Sequence, residues 1–493
     1  MNAGILSEGK YEVLDIDNIE KLRNKKIIIY GAGAYGNKLY TFLKRKGLNQ
    51  YITSFLVSDK KANPHIIDGI PVKEITELEE SLEEYTVLVA IGSVHSGEVI
   101  SLLQDHIVKG LYCVTKKFIE KMEQKIFDEM KNFPLEQNKI FISCYEGMGY
   151  RCNCKYISEK LLQDRYPVKI VWAVKDTYGL DVPDQIKKVT LYTEEYYKEL
   201  YTSKICITNN TNQLFGEKRN DQYYINTWHG FGPFKKVQAS LSSNKKRRDE
   251  IKEVNSKYDL FLTGSTFYSQ VYRESFFYEG EIYECGAPRN DVFFMNNTIK
   301  DSVYKKFGIS SCRKIVLYAP TFRSDGEKSF DYYDLDMPDI LKALNTGFGS
   351  EYVLMYRFHH HLYAMGKCQG YYEGGIDVTY YPDIQELLVA ADVVITDYSS
   401  LMWDFSLQRK PVFLYQNDEE DYRDDRGFYC PVSQWPYPRA HSKEELITII
   451  KNFDNEKYIH DLNAFLEKYG SCDDGRASER TAEKIMEIIN GTP

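Results

Sequence analysis

The sequence predicts an α/β protein built on parallel sheets, and three stretches carry that prediction. From Val393 the chain reads as an apolar strand (Val393 to Thr396), a polar turn (Asp397, Tyr398, Ser399, Ser400) and an amphipathic helix (Leu401 to Gln408); after Pro411 comes a second strand, Val412 to Tyr415. That is the strand–turn–helix–strand unit of a parallel sheet. Near the other end an apolar strand, Lys26 to Tyr30, runs into Gly31-Ala-Gly33-Ala-Tyr-Gly36, a helical run and a further strand, Ile52 to Val57, closing at Asp59. Between them, apolar strands at Lys139 to Ser143, Val168 to Val174, Lys204 to Thr208 and Gln222 to Thr227 form a third series.

Composition sets the bounds. A chain of 493 residues, 43% hydrophobic and 27% charged, is long enough for about three domains with ordinary cores. Its 63 basic against 72 acidic residues, a net charge of −9, argue against a general nucleic-acid binder. Ten scattered cysteines include no Cys-x-x-Cys pair and read as reduced cytosolic thiols. No charged-then-apolar leader and no apolar run of about 18 residues is present, so a soluble or peripheral protein is expected. The 41 tyrosines read mostly as amphipathic core and surface filler.

Taken in order, the first unit offers Gly-x-Gly-x-x-Gly between a strand and a helix, with an acid some 20 residues beyond, the context of a nucleotide-binding turn. Gly31, Gly33, Gly36 and Asp59 are therefore candidate nucleotide contacts; equally, such glycines can serve helix–strand packing alone. A strand from Thr86 to Ile91 follows, ending in Gly92-Ser93, and a complete oxidoreductase is not expected. This unit resembles the small Rossmann-like domain ahead of some sugar-modifying enzymes of bacterial surface polysaccharide synthesis. It is assigned residues 1–120, with 121–138 a helical linker broken at Pro134.

The second series, 139–300, delivers its fourth strand into Trp228-His229-Gly230, with Phe234-Lys-Lys236 just after. A histidine at the carboxyl end of a parallel strand is placed to act as a base on a bound hydroxyl; the other reading is an imidazole packed beside Trp228 with one nitrogen on backbone. Asn244-Lys-Lys-Arg-Arg248 is a solvated helix face or a contact for anionic lipid or a polyanionic acceptor. The third series, 301–493, ends strand Ile315 to Tyr318 in Ala319-Pro320-Thr321-Phe322-Arg323, and strand Tyr352 to Tyr356 in Arg357-Phe-His359-His-His361. Thr321, Arg323, Arg357, His359, Asp397, Ser399 and Ser400 thus all fall at carboxyl ends of strands, where open α/β sheets bind ligands. Arginine and histidine opposite helix N-termini describe a diphosphate clamp; alternatively Asp397 and Ser399 merely cap their helix. Three adjacent histidines lack zinc-ligand spacing. Asp421 to Tyr429 reads as a loop, and Asp473 to Arg480 opens a final helix that is expected to pack back on the second unit.

From about residue 139 onward the chain resembles the CDP-glycerol:polyglycerophosphate glycerophosphotransferase family, the teichoic acid primases and polymerases. The resemblance rests on Thr227-Trp-His-Gly230, Phe234-Lys-Lys236, Gly286-Ala-Pro-Arg-Asn-Asp291, Tyr318-Ala-Pro-Thr-Phe-Arg323 and Arg357-Phe-His359, with Glu386-Leu-Leu before Asp392, Thr396-Asp-Tyr-Ser-Ser400, Arg426-Gly-Phe-Tyr429 and Asp474-Gly-x-Ala-Ser-x-Arg480. It implies a GT-B pair of Rossmann-like domains, preceded here by the smaller one. It implies His229 as catalytic base, and Arg357, His359, Asp397, Ser399 and Ser400 on the donor, with Thr321 and Arg323 nearby; Gly230, Arg289, Asn290, Asp291, Pro320 and Thr396 are further substrate-binding candidates. The implied reaction is attack of an acceptor hydroxyl on the phosphorus bearing glycerol of CDP-glycerol, releasing CMP, without a tightly bound metal or other cofactor. The implied partners are a CDP-polyol donor and a lipid-linked or glycan acceptor, with no nucleic acid. The implied place is the cytoplasm, peripheral at the inner face of the membrane.

Two departures bear on specificity. Trp-His-Gly is followed by Phe231-Gly-Pro-Phe-Lys-Lys236, one residue longer than the common polymerase form and nearer the primase style, and Arg357-Phe-His359 continues into two histidines instead of proline. CDP-ribitol as donor, a GT-B glycosyltransferase using a nucleotide sugar, and a non-catalytic nucleotide-binding assembly role for residues 1–120 are the alternatives.

Overall fold

The strands form because short β-branched and aromatic runs meet turn signals at both ends, and they are buried on both faces. In the run Lys26–Tyr30, Ile27 and Ile29 enter one buried cluster while Ile28 and Tyr30 enter another. Such two-faced burial is the mark of a parallel strand covered by helices above and below. The structure is a computed structural model, which describes residues 11–60, 63–77, 82–104, 108–175, 181–211, 216–295, 298–321, 323, 335–358 and 372–491. The expected residues Phe322, His359, His360 and His361 lie outside the described residues.

Three sheets follow one another along the chain. The first contains β1 (Glu12–Val13), β2 (Lys26–Tyr30), β3 (Ile52–Val57), β4 (Ile66–Ile67), β5 (Ile70–Glu74), β6 (Tyr85–Val89) and β7 (Gly110–Cys113), in the order β1-β7-β6-β2-β3-β5-β4. The second contains β8 (Glu136–Ser143), β9 (Lys169–Val174), β10 (Ile186–Thr190), β11 (Ser203–Thr208), β12 (Tyr223–Asn226), β13 (Leu260–Leu262) and β14 (Glu281–Tyr283), in the order β10-β9-β8-β11-β12-β13-β14. The third contains β15 (Lys314–Tyr318), β16 (Tyr352–Tyr356), β17 (Ile376–Asp377), β18 (Val393–Thr396), β19 (Val412–Tyr415) and β20 (Arg439–Ala440), in the order β17-β16-β15-β18-β19-β20. Only the β4–β5 pair is antiparallel among the described strands. In each sheet the winding reverses beside a central strand, at β2/β6, β8/β11 and β15/β18, and such switch points are where doubly wound sheets open a crevice.

The three bodies share a core. One buried cluster takes in Ile27 and Ile29, Phe141 of β8, and Ile315 and Leu317 of β15. The helix Lys116–Met130, expected as a linker, is a packed element: Phe118, Ile119, Met122, Ile126 and Met130 are buried, and Phe127 meets Tyr201 edge-on at 5.3 Å. The helix Ile299–Phe307 runs across the expected junction at 300/301 and packs on Ile384–Ala390. The last helix, Ala477–Asn490, returns to the second sheet, where Ala482 and Ile485 join Ile140 and Ile157. Glu419–Arg426, expected as loop, is helical, with three acids in its first turn favouring the positive end of the peptide dipoles. The helix after Ser400 is shorter than its periodicity suggests, Leu401–Ser406. Among the described residues no disulfide forms, and no helix is long and apolar enough to cross a membrane.

Candidate active site

His229 stands just beyond β12, and its turn is built by asparagines. Trp228 adopts φ +45°, a left-handed conformation uncommon for an aromatic residue. Asn226 Oδ1 accepts from the Trp228 N–H (2.8 Å), and the fully buried Asn153 donates its amide to the carbonyls of Thr227 (3.1 Å) and Trp228 (3.0 Å). The imidazole lies 4.4 Å from the Trp228 ring centroid and 5.3 Å from that of Tyr145. The Asn209 carbonyl accepts from His229 Nδ1–H at 2.6 Å, which fixes the tautomer and leaves Nε2 as an acceptor. Packing beside Trp228 and a backbone-bonded nitrogen, the alternative to catalysis in the sequence reading, is therefore also the geometry a base needs. Burial lowers the His229 pKa to about 4, with the charges of Arg289 and Lys235 adding to it and the Asn209 bond opposing, so the ring is neutral at physiological pH.

This wall occupies the β8/β11 switch point. Tyr145 follows β8 and Asn209 follows β11, and the Tyr145 N–H donates to Asn209 Oδ1 at 2.8 Å. Tyr145 and Glu146 hold φ of +45° and +55°; strained backbone of this kind costs on the order of 1–3 kcal/mol and clusters at functional sites.

The third sheet faces this wall. A Cβ built on Gly230 would lie 3.5 Å from Ser400 Oγ, so the loop after the histidine and the turn after β18 border one cleft. Arg151 and Arg357 approach from opposite lobes: Arg357 donates to the carbonyls of Val378 (2.9 Å) and Tyr381 (2.7 Å), and Arg151 to that of Met148 (2.6 Å). Burial, reinforced by the Arg151 charge, lowers Arg357 to about 10. Lys235 is also held down by burial and by the neighbouring Arg426 and Arg323 charges, against the pull of Asp397. None of Arg151, Arg357 and Lys235 forms an ion pair with a carboxylate among the described residues. Unmatched cations meeting in a cleft favour an anion.

Other expected contacts sit behind the cleft. Asp397 is 4% exposed and receives the Thr321 N–H at 2.9 and 3.0 Å, the Thr321 hydroxyl, the Tyr398 N–H at 2.5 Å and the Arg323 guanidinium at 2.9 Å. Arg323 also clasps Asp418, at 2.6 and 3.1 Å. These groups tie the β15 and β18 turns together, which sets the stage on which Ser399 and Ser400 stand. Thr396 donates to the Ala319 carbonyl (2.7 Å) and Pro320 is buried beside it.

Arg289, Asn290 and Asp291 are buried between the lobes. Arg289 binds Asp404 through both carboxylate oxygens (2.9 and 3.0 Å), the Asn290 amide donates to Asp404 (3.1 Å), and Asp291 accepts from the N–H groups of Ala477 and Ser478 at the start of the last helix. Lys155 adds a second bridge between the lobes, to Asp383 (2.8 Å) and Glu386 (2.9 Å). Among the described residues no group of three His, Cys, Asp or Glu side chains is arranged to hold a metal ion.

In the first sheet, Gly31 (φ +117°) and Gly36 are required by contact: a Cβ on Gly31 would lie 2.4 Å from the Ala90 carbonyl oxygen, and one on Gly36 would lie 1.9 Å from that of Gly31. Gly33 has open space, and Asp59 is exposed. Sequence reasoning missed Tyr145, Arg151, Asn153 and Asn209 as parts of the wall. The run Glu146-Gly-Met-Gly-Tyr-Arg-Cys-Asn153, just after the strand Glu136–Ser143, is the signal that could have pointed to the first three, and the end of the strand Ser203–Thr208 to the fourth.

Two Rossmann-like sheets facing across a basic cleft, one lending an imidazole, define a GT-B-type transferase with an extra N-terminal Rossmann-like body. The family model for CDP-Glycerol:Poly(glycerophosphate) glycerophosphotransferase matches residues 126–487, and the chain belongs to this family of enzymes. It is 28% identical over 371 residues to a teichoic acid poly(glycerol phosphate) polymerase of Bacillus spizizenii, covering 72% of this chain and 93% of that one. It is 26% identical to a teichoic acid glycerol-phosphate transferase of Staphylococcus aureus, over 75% of this chain and 98% of that one. Among solved structures, that of the wall teichoic acid polymerase TagF superposes with a TM-score of 0.67 at 27% identity, over 76% of this chain and 94% of that one; a histidine variant of TagF has also been solved after soaking with CDPG.

Proposed function

We propose that the chain transfers glycerol phosphate from CDP-glycerol to a hydroxyl of a glycan or polyol-phosphate acceptor, releasing CMP, in the synthesis of teichoic acid or a teichoic-like surface polymer. One observation carries the reading: an imidazole with Nδ1 fixed faces a cleft in which Lys235, Arg151 and Arg357 form no ion pair with a carboxylate among the described residues. The acceptor hydroxyl gives its proton to His229 Nε2 as its oxygen bonds to the phosphorus bearing glycerol. The bond from that phosphorus to the CMP oxygen breaks, and CMP leaves as an anion. Lys235, Arg151 and Arg357 neutralise the diphosphate and the charge growing on the leaving group, and Ser399, Ser400 and Gly230 border it. Such transfers depend on positioning and charge stabilisation more than on covalent help from the protein. Arg289, Asn290, Asp291, Asp397, Arg323, Thr321 and Thr396 act one layer back, holding the loops in register. The exposed Lys245, Lys246 and Arg247, close in sequence to the exposed Leu241, provide a contact for an anionic membrane carrying a lipid-linked acceptor.

Incubation with CDP-glycerol and a hydroxyl acceptor tests the reading. CMP release with a new phosphodiester in the phosphorus NMR spectrum is expected. UDP-sugars and CDP-ribitol are run in parallel: an anomeric linkage formed from a UDP-sugar, with no phosphorus transferred, would mean a sugar transferase instead, and CDP-ribitol identifies the polyol.

A further inference from the structure

The helix Ala34–Arg45 of the N-terminal body is fastened to the link that joins β10 to the helix Glu194–Thr202. Thr41 Oγ1 donates to the Tyr192 carbonyl at 2.6 Å, Lys38 Nζ lies 4.9 Å over the Tyr192 ring, and Arg45 pairs with Glu194. Lys38 and Arg45 are also tied to the helix Lys116–Met130, through Glu123 (2.7 Å) and Glu129. Thr41 is 5% exposed, so its bond to Tyr192 outweighs the pairs with the half-exposed carboxylates of Glu194 and Glu129.

This link in turn supports the turn that carries Tyr145. Tyr145, Glu146 and Gly147 hold φ of +45°, +55° and +80° in succession. Left-handed backbone of this kind persists only where its surroundings hold it there. From one side Asn209 Oδ1 takes the Tyr145 N–H at 2.8 Å. From the other, Gly147 is wedged: its carbonyl accepts from the Lys175 N–H at 2.9 Å, and a Cβ on it would lie 2.7 Å from both Leu191 Cδ1 and the Lys175 nitrogen. Leu191 is followed directly by Tyr192, itself at φ +64°. Thr41, Tyr192, Leu191, Gly147 and Tyr145 thus make one continuous run, ending at a ring 5.3 Å from His229 and 5.7 Å from the Arg151 guanidinium.

We propose that the N-terminal body is a positioning element for catalysis: by holding Leu191 and Tyr192 against Gly147, it keeps the Tyr145 ring against His229 and Arg151. Its effect on turnover rests on the transferase reading above; its effect on the imidazole does not. Thr41 and Arg45 act through Tyr192 and Glu194, while His229, Lys235, Arg151 and Arg357 all belong to the other two bodies. The close approach of Gly36 to Gly31 then has a use without a nucleotide, since it seats the helix that reaches Tyr192.

The double variant Thr41→Val, Arg45→Met tests this with two readouts. In a histidine NMR titration without substrate, His229 (assigned through His229→Ala) titrates near 4 in the wild type. It is expected to move up by about one unit in the variant, because a loosened Tyr145 ring admits water to the imidazole. The charges around the imidazole, Arg289, Lys235 and Asp404, and the Asn209 carbonyl stand on other elements and are the same in both proteins. With CDP-glycerol and a hydroxyl acceptor, kcat for CMP release is expected to fall about tenfold while the CDP-glycerol Kd from calorimetry stays level. Thr41→Ser with Arg45→Lys keeps a hydroxyl and a cation and is expected to match the wild type in both readouts. An unmoved His229 titration, an unchanged kcat, donor binding lost in step with kcat, or a conservative pair no better than the first would overturn the proposal. A wild type that releases no CMP from CDP-glycerol would sink the transferase reading instead, and the titration would still decide whether this body positions the imidazole.

Discussion

The first and second sheets wind alike around a central strand, yet their switch-point crevices are filled in opposite ways. At β2/β6 the backbone closes on itself, with a Gly31 Cβ position 2.4 Å from the Ala90 oxygen and a Gly36 Cβ position 1.9 Å from the Gly31 oxygen. At β8/β11 side chains occupy the crevice: Tyr145 and Asn209 are joined at 2.8 Å, and His229 is bonded to the Asn209 carbonyl. Gly31 and Gly36 therefore report how near two backbones come, and Gly33 is the position of the three with open space beside it. The crevice proposed to be reactive is the one whose turn residues, Tyr145, Glu146 and Trp228, hold positive φ.

The largest expected contrast is His229→Ala. Removing the base should cut transfer by a factor of about 10²–10⁴ while CDP-glycerol still binds, measured by CMP release and donor titration. With the free-enzyme imidazole near 4, kcat/KM should stay level from pH 8 down to about 5 and fall below that. The unfolded imidazole titrates near 6.5. Between about 6.5 and 4 the unfolded chain therefore takes up a proton that the folded one does not, so this group's stabilising contribution, full above pH 6.5, is lost as pH falls through that window.

Next is Arg289→Met, which leaves Asp404 buried without its cation. A loss of about 3–5 kcal/mol in denaturant unfolding is expected, with most of it recovered in the double variant Arg289→Met, Asp404→Leu. No recovery would mean that Arg289 works on substrate and not on the lobe interface. Lys235→Ala should follow, weakening CDP-glycerol binding about 10- to 100-fold by calorimetry, the scale of a hydrogen bond to a charged group. The smallest effects separate the glycines of the first sheet. Gly36→Ala should destabilise its body by about 1–3 kcal/mol through overpacking, whereas Gly33→Ala, with open space, should stay within about 0.5 kcal/mol. Equal effects at the two positions would break the contrast drawn between the crevices.

Much of this was legible in the sequence because local pattern and tertiary context agree. The strands Lys26–Tyr30, Ile52–Val57, Tyr352–Tyr356, Val393–Thr396 and Val412–Tyr415 stand where apolar runs between turn residues put them. The placement of His229 and Ser400 on one cleft follows from their positions at strand ends. What periodicity does not carry is which polar groups bond to each other. Arg289 and Asp404 are 115 residues apart in the chain, and nothing local says that the guanidinium meets a carboxylate instead of a phosphate. The short strands Glu281–Tyr283 and Arg439–Ala440 escape notice because pairing with a neighbour, not their own composition, makes them strands. The helix Lys116–Met130 reads as a connector until its apolar stripe is seen against the helix Glu194–Thr202.

Asp404 lies within the short helix that begins right after Ser400, and its carboxylate is gripped by residues of the opposite lobe. The pose of the serine turn is therefore dictated from across the cleft. A truncation carrying only residues 301–493 would expose a lone carboxylate where a guanidinium belongs and leave that turn without its brace. On the proposed function, donor recognition is then a property of the intact pair, and splitting the polypeptide at the cleft is expected to abolish it even with Ser399, Ser400 and Arg357 present.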